Sequence, residues 1–489
     1  MHKKPLFTSF PVTSHTDYVT IGSTFVVIKG QKEDGSAYIK KAIEHGASTI
    51  VLEIGTTLSA ELEEAIIKHG AHIEYVGNSR KALAYLSAEA AGHPAKKLKL
   101  FGVGGTKGKT TTVCMLAHLL KRFGKKVAFI STALIGMDTG GVQPDLTEFD
   151  CTGTLTTPQP DYVHQFLKLC VEKEVEYVVL EVAAQAHTFF RLEDIEFEGV
   201  IFTNLDREHG ELYPCMEQYF SEKQKLFAHV KPGGSVLINA DDLYGQRLLE
   251  TNSFGAKSFG VTTTADYDAT LLCDTLIQQE ALIEGHGVAF VCTYQGFPGL
   301  YNLSNVVGAV GLLAERGFPV DELAQWMIEF PPVPGRLEMQ KLANGALAVI
   351  DYAHTAASFE QVLSLMRPRT EHLLVLFGAG GGKDSDKRSL MGEVASRLAD
   401  VVIVTDDNPR FENPAVISDQ IISGVKSEHK HKVTVIHDRQ SAIEKAYALL
   451  HAGSILMLLG KGPDDVQIVN EDRLFFSEKK VLEQVQKLI

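Results

Sequence analysis

What the chain has little of narrows its class before any motif is read. No apolar run reaches the ~18 residues needed to cross a bilayer, and no long apolar segment follows the start Met1-His-Lys-Lys-Pro5, so a cytoplasmic protein without a membrane partner is expected. Basic residues are in deficit: 47 Lys and Arg stand against 61 Asp and Glu, a formal charge of −14. That disfavours a nonspecific nucleic-acid binder, whose affinity comes from neutralising phosphates, yet leaves room for an anionic small molecule in a local basic pocket. The six cysteines (Cys114, Cys151, Cys170, Cys215, Cys273, Cys292) never fall in a CxxC spacing. Most sit in apolar runs, which reads as core thiols rather than a metal site or disulfide framework. No internal repeat or low-complexity tract is present. What remains is 489 residues with 45% hydrophobic content, enough for about three ordinary globular domains.

The alternation of apolar periods reads as α/β throughout. Up to about residue 95, short strands (Thr24–Lys29, Thr49–Glu53, His72–Val76) alternate with helical patterns (Ala37–His45, Ala60–His69, Arg80–Ala91), a small N-terminal α/β domain over 1–95. Gly92-His-Pro-Ala-Lys-Lys97 reads as a linker. From Leu98 the βα alternation restarts, with a helix ending at Phe123, strand Lys126–Ser131, helix Asp161–Lys173, and strands Glu176–Val182 and Gly199–Asn204. This predicts a central parallel-sheet P-loop domain over 96–331 with crossover helices. After Pro331-Pro-Val-Pro-Gly335, strands Ala346–Tyr352, His372–Gly378, Asp400–Thr405, Lys432–His437 and Ser454–Leu459 predict a third, Rossmann-like α/β domain over 332–489.

One motif carries chemistry by itself. Phe101-Gly-Val-Gly-Gly-Thr-Lys-Gly-Lys-Thr-Thr-Thr112 is a glycine-rich turn between a strand-like run and a helical pattern, ending in Gly108-Lys109-Thr110. Glycines let several amide N–H groups face one phosphate at the positive end of the following helix, Lys109 reaches the outer phosphates, and Thr110 can ligate Mg²⁺. The strict Walker pattern has glycine where this chain has Val103, so the loop is a variant. ATP is the expected nucleotide, held by Gly105, Thr106, Lys107, Gly108, Lys109, Thr110 and Thr111.

Glu181 and His209 each lie just past the carboxyl end of a predicted strand, so parallel neighbours bring them to the edge that carries the phosphate loop. Alone, each reads as a surface residue; beside that loop both read as ligands for a metal ion, directly or through water. Lys223, in the helical pattern Met216–Phe227, reads on composition as part of a solvated face.

A longer series of motifs changes the scale of the reading. The phosphate loop, Leu155-Thr-Thr-Pro158, Glu181-Val182 with Arg191, Phe202-Thr-Asn-Leu205 with His209, Ile238-Asn-Ala-Asp-Asp242, Tyr301-Asn-Leu-Ser-Asn305, Val333-Pro-Gly-Arg336, Asp351-Tyr-Ala-His-Thr355, Phe377-Gly-Ala-Gly-Gly381, Lys387-Arg388 and Asp406-Asp-Asn-Pro-Arg410 follow one another in a fixed order. In that order they resemble the Mur ligases, from the Gly30 region nearly to the C-terminus. The resemblance is to the branch that adds the third residue of the peptidoglycan stem peptide.

The resemblance implies a monomeric ATP-dependent amide ligase. It would join meso-diaminopimelate to UDP-MurNAc-L-Ala-D-Glu through an acyl phosphate, with the N-terminal domain binding the UDP-substrate and the C-terminal domain the amino acid. It implies Lys109, Glu181, His209 and Lys223 as catalytic residues, with Thr110, Glu181, His209 and a carbamylated Lys223 as Mg²⁺ ligands. Asn302 matches an adenine contact, and Arg336 and Asp351 match residues that close the C-terminal domain over ATP. Substrate contacts fall on Thr156, Thr157, Arg191, Lys383, Asn408, Arg410, Gly460 and Asp464. A guanidinium at Arg410 offers paired coplanar donors to the distal carboxylate of diaminopimelate, although an arginine after proline also serves to cap a turn.

Departures cluster in the substrate motifs. A family Glu-Val-Ser-Ser-His stretch reads Glu181-Val-Ala-Ala-Gln185, Phe189 replaces a polar residue, the uridine-framing Asp-Ser-Arg reads His15-Thr-Asp17, and the run after Arg207 reads Glu208-His-Gly-Glu-Leu-Tyr-Pro214. Lys383 stands for an arginine, and Lys461-Gly-Pro-Asp-Asp465 puts Asp464 where a glutamate is expected. These changes leave open a different acceptor acid, a different diamino acid such as lysine, or a catalytically weak ATP-binding paralogue.

Overall fold

The computed structural model describes residues 6–30, 34–139, 155–208, 210, 212–251, 254–285 and 287–488. The first sheet orders β1 (Val12–Thr13), β2 (Thr24–Val26), β3 (Thr49–Glu53) and β4 (His72–Val76) side by side, all parallel. Its apolar residues Phe25, Ile50 and Leu52 pack on Ile39, Ile43 and Ile66 of the crossover helices. The strand expected to run to Lys29 pairs only through Val26, with Val27 N still donating to Val51 O at 2.9 Å.

The central sheet has ten strands: β5 (Lys99–Gly104), β6 (Val127–Ile130), β7 (Ile135–Asp138), β8 (Tyr177–Val182), β9 (Phe197–Phe202), β10 (Val230–Asn239), β11 (Lys257–Gly260), β12 (Tyr267–Asp274), β13 (Gln278–Gly285) and β14 (Val288–Gln295). Their order is β14-β13-β12-β11-β10-β9-β5-β8-β6-β7. The expected parallel sheet is its middle only. β7 and the β12–β13–β14 meander run antiparallel at its two sides.

Successive residues of β5 point to opposite faces, so Phe101 and Val103 enter one core with Val113, Leu116 and Leu120, while Leu100 enters the other with Val163, Phe166 and Leu167. Burial on both faces explains why β5 and β8 read as continuous apolar runs rather than alternations. Helix Leu300–Glu315, buried from Asn302 to Ala314, is wedged between the sheet and its neighbours and is correspondingly apolar nearly all round.

In the third sheet, β15 (Glu338–Lys341), β16 (Leu347–Asp351), β17 (Leu373–Phe377), β18 (Val401–Val404), β19 (Val433–Val435) and β20 (Ile455–Leu459) take the order β15-β16-β20-β17-β18-β19, parallel except for β15. A separate hairpin, β21 (Val466–Val469) and β22 (Asp472–Phe475), follows. The cysteines Cys114, Cys170 and Cys292 are buried free thiols, whereas Cys215 is exposed and Cys273 half-buried; Cys151 lies outside the described residues. Among the described residues no helix is long and apolar enough to cross a membrane.

Candidate active site

β5 lies between β9 and β8, and the chain crosses over β8 to reach β6, so the strand order reverses beside β5. Ligands of open α/β sheets bind at the carboxyl ends of strands at such a reversal, and the phosphate loop emerges there. Gly108, at φ 81°, is the residue before helix Lys109–Arg122; a side chain there would be both conformationally strained and driven into the Asn305 carboxamide. The loop is tied down from β9's end: Lys107 N donates to Asn204 Oδ1 at 2.8 Å, and Thr203 Oγ1 to Lys107 O at 2.7 Å. Lys107 Nζ pairs with Asp206 at 2.7 Å, and Lys109 Nζ folds back on Thr106 O at 2.7 Å.

Glu181 is the point on which the site converges. It is not past the strand but its penultimate residue, 2% exposed, with its carboxylate held at the sheet edge. Thr110 Oγ1 donates to Oε2 at 2.8 Å, Thr132 N to the same oxygen at 2.8 Å, and Thr132 Oγ1 to Oε1 at 3.0 Å. Lys109 Nζ stands 3.9 Å from Oε1. Thr156 and Thr157 reach the same place from the loop before helix Pro160–Glu172. Thr156 Oγ1 lies 3.1 Å from Thr132 Oγ1, which can accept its proton while donating its own to Glu181, and Thr157 Oγ1 donates to Glu181 O at 2.8 Å.

Lys223 is not on a solvated face. It is 4% exposed, its Nζ donates to Gly105 O at 2.5 Å, and it sits 4.7 Å over the Tyr219 ring. Burial, reinforced by the Lys109 cation, holds the amine well below its ordinary pKa, with Glu208 and Glu181 opposing. His209 lies outside the described residues.

The third sheet closes the other side of the cleft. Arg336 Nη2 donates to Thr110 Oγ1 at 3.1 Å and its guanidinium lies 4.7 Å from the Tyr352 ring centroid. Asp351, at the end of β16, accepts from Leu337 N and Ala353 N at 2.8 Å each, and burial raises its pKa. Asn302 Nδ2 donates to Pro298 O at 2.9 Å. Lys109, Thr110, Thr111, Glu181, Lys223, Asn302, Arg336 and Asp351 thus line one cavity, with Thr106, Lys107, Gly108 and Thr156.

The remaining candidates lie elsewhere. Arg191 is buried beneath Phe189, with Nη1 donating to Thr157 O at 3.0 Å. On the third sheet's loops, Arg410 Nη1 donates to Gly381 O at 2.9 Å and Asn408 Oδ1 accepts from Ile468 N at 2.9 Å. Lys383 and Asp464 are exposed, and Gly460 is buried at the end of β20. Residues without an assigned role also line the cavity: Thr132, Tyr219, Glu208 and His354, the last two paired at 3.3 Å. Thr132 follows the end of β6, so the argument that singles out Glu181 applies to it equally.

Oxygen donors from Thr110 and Glu181, beside the amides of the glycine-rich loop, suit a hard divalent cation. Among the described residues no group of three or more His, Cys, Asp or Glu converges there. Arg336 Nε is buried without a hydrogen-bond partner, a donor free for an anion.

This fold and this cleft define the class. Residues 103–313 match the family model for the Mur ligase middle domain and residues 335–462 that for the Mur ligase glutamate ligase domain. The chain belongs to the Mur ligase family. It is 31% identical over 479 residues to a UDP-N-acetylmuramoyl-L-alanyl-D-glutamate--2,6-diaminopimelate ligase of Clostridium botulinum, covering 96% of this chain and 93% of the relative. To the ligase of that name from a Nostoc species it is 34% identical over 474 residues, covering 94% and 90%. Among solved structures, a ligase of the same name aligns with TM-score 0.63 at 24% identity, covering 99% of this chain and 95% of the other. A Thermotoga maritima MurF ligase in complex with ADP aligns with TM-score 0.62 at 18% identity, covering 99% and 98%. At these identities the structures speak to the fold.

Proposed function

We propose that this chain is an ATP-dependent, ADP-forming amide ligase that joins meso-diaminopimelate to UDP-MurNAc-L-Ala-D-Glu in peptidoglycan synthesis. It would act as a cytoplasmic monomer of three domains, 1–95, 96–331 and 332–489. The supporting observation is one cleft where Lys109, Thr110, Glu181 and Lys223, from the central sheet and the helices packed on it, meet Arg336 and Asp351 at the edge of the third sheet.

In this reading the phosphate-loop amides and Lys109 hold the β- and γ-phosphates of ATP, and Asn302 takes the adenine. The free carboxylate of the acceptor attacks the γ-phosphorus, ADP leaves, and an acyl phosphate forms. The amine of the amino acid then attacks that carbonyl, loses a proton, and phosphate departs from the tetrahedral intermediate. Anionic charge builds at each stage, and Lys109 and Arg336 are placed to offset it.

Thr110 and Glu181 would hold one Mg²⁺, and His209 with Lys223 a second; bound there, the metal would neutralise phosphate charge and align the oxygens for transfer. A buried lysine held below its usual pKa keeps a neutral amine that can take up CO₂. Carbamylation would turn Lys223 from a neutral amine into an anionic oxygen ligand. Arg191, with Nε buried and unpartnered, together with Thr156 and Thr157 would receive the acceptor. Arg410 and Asn408, with Lys383, Gly460 and Asp464 nearby in sequence motifs, would receive the amino acid.

A second reading, the same chemistry on another acceptor acid, is favoured by Ala183, Ala184 and Gln185, which line the cavity without offering hydroxyls. Hydroxylamine trapping separates the two: with ATP and UDP-MurNAc-L-Ala-D-Glu but no amino acid, a hydroxamate of that acceptor is expected. Its absence, with ATP bound, would favour the second reading.

A further inference from the structure

Behind the loop that carries Arg410, an ion pair between a buried arginine and a half-buried glutamate lies apart from the residues that line the cleft. Arg388, on helix Asp386–Leu398, is 0% exposed. Its Nη1 donates to Glu412 Oε1 at 2.6 Å and its Nη2 to Glu412 Oε2 at 2.8 Å, a two-point pairing. The same guanidinium bridges outward: Nη1 to Gln420 Oε1 at 2.6 Å on helix Pro414–Ser423, and Nη2 to Gly380 O at 2.9 Å. Glu412 Oε2 in turn accepts from Gly382 N at 3.0 Å, and Glu412 N donates to Pro409 O at 3.0 Å. With so many donors on it, the Glu412 carboxyl is held down to about 2.

These bonds join the two loops that leave the ends of β17 and β18. Gly381 N donates to Asn408 O at 2.9 Å, and Arg410 Nη1 donates to Gly381 O at 2.9 Å. The backbones approach so closely that a Cβ on Gly381 would run into the Pro409 carbonyl. Arg410 itself has φ 54°, a left-handed conformation an arginine adopts only when its surroundings fix it. Arg410 N donates to Ile468 O at 3.0 Å and Asn470 N donates to Arg410 O at 2.8 Å, so hairpin β21–β22 fixes one side. The Arg388–Glu412 pair fixes the other.

We propose that Arg388 and Glu412 are positioning residues that set the amino-acid specificity of the ligase by holding the Lys383 and Arg410 loops in one register. The inference rests on the reading that Arg410 receives the amino acid's distal carboxylate. Neither side chain lines the cleft; their effect passes through Gly380 O and Gly382 N to Gly381, whose carbonyl holds the guanidinium of Arg410. A neutral carboxamide at 412 places an amide N–H₂ against the donors of Arg388 or Gly382 and loses one of these bonds.

The test uses the full-length enzyme and Glu412→Gln, with Glu412→Asp as the variant that keeps the charge. Steady-state kinetics are run with ATP, acceptor and meso-diaminopimelate or lysine, and backbone hydrogen exchange is followed by mass spectrometry without ligands. E412Q is expected to raise the KM for the amino acid at least tenfold, leave the KM for ATP within twofold, and speed exchange at 380–382 and 408–412 alone. E412D is expected to recover part of the KM loss. An amino-acid KM within twofold of wild type, or an equal rise in the KM for ATP, overturns the proposal. If wild type turns over with neither amino acid, the ligase reading fails; unchanged exchange at the two loops in E412Q then overturns the brace separately, and faster exchange there upholds it.

Discussion

Thr110 and Glu181 are joined by a hydrogen bond of 2.8 Å from the threonine hydroxyl to carboxylate Oε2, and both side chains are buried. The bond couples the first turn of the phosphate-loop helix to the end of the adjacent strand, placing two hard oxygen donors together where the phosphates of ATP would lie. Thr110→Ala removes one donor of this pair and leaves the carboxylate short of a partner. Loss of a hydrogen bond to a charged group costs about 1.5–3 kcal/mol. Mg-ADP binding by calorimetry is therefore expected to weaken about 10- to 100-fold. Thr110→Ser should bind close to wild type.

Lys223 makes a different prediction because its cost is one of burial. Its folded pKa lies below the unfolded value, so the unfolded chain binds the extra proton and stability rises as pH climbs from the folded pKa to the unfolded one. Lys223→Met removes that penalty. Its melting temperature should depend less on alkaline pH than wild type, while amide-forming turnover is lost. Isotope-labelled bicarbonate should give a carbamate signal by NMR in wild type and none in K223M.

Arg410→Lys keeps the charge and loses the planar fork. The KM for diaminopimelate is expected to rise about 10- to 100-fold, with the KM for ATP unchanged, because the Arg410 loop lies outside the nucleotide cavity. Equal effects on both would remove Arg410 from the amino-acid pocket.

Acid stability should report on His164, which is 0% exposed and whose imidazole burial lowers from 6.5 to about 4. Unfolded, it takes a proton below pH 6.5; folded, it stays neutral until about pH 4, so its contribution is lost as pH falls through that window. The loss is bounded at about 3 kcal/mol. Thermal melts between about pH 7 and pH 5 should fall more steeply for wild type than for His164→Leu.

The phosphate loop and its sheet edge are legible in the sequence because they depend on local pattern: glycines, a Lys-Thr pair, and buried strands too apolar to read otherwise. Residues 230–295 are not. Beyond the parallel strands β10 and β11 the sheet turns antiparallel, and its half-exposed meander β12–β14 carries a weak alternation that only long-range pairing resolves. Lys223 reads by composition as solvated, and its burial follows from the tertiary approach of Gly105. Thr132 escapes notice because the edge strand β7 turns back beside it, and Arg410's positive φ has no signature in residue identity.

The central claim, a ligase that couples ATP cleavage to amide formation on UDP-MurNAc-L-Ala-D-Glu, is tested most directly by phosphate release with product mass measured alongside. With ATP, Mg²⁺ and that acceptor present, meso-diaminopimelate should stimulate release of ADP and phosphate in step with a product heavier by one diaminopimelate residue. Absence of stimulation by diaminopimelate and by lysine, in a preparation that binds ATP, would contradict the account.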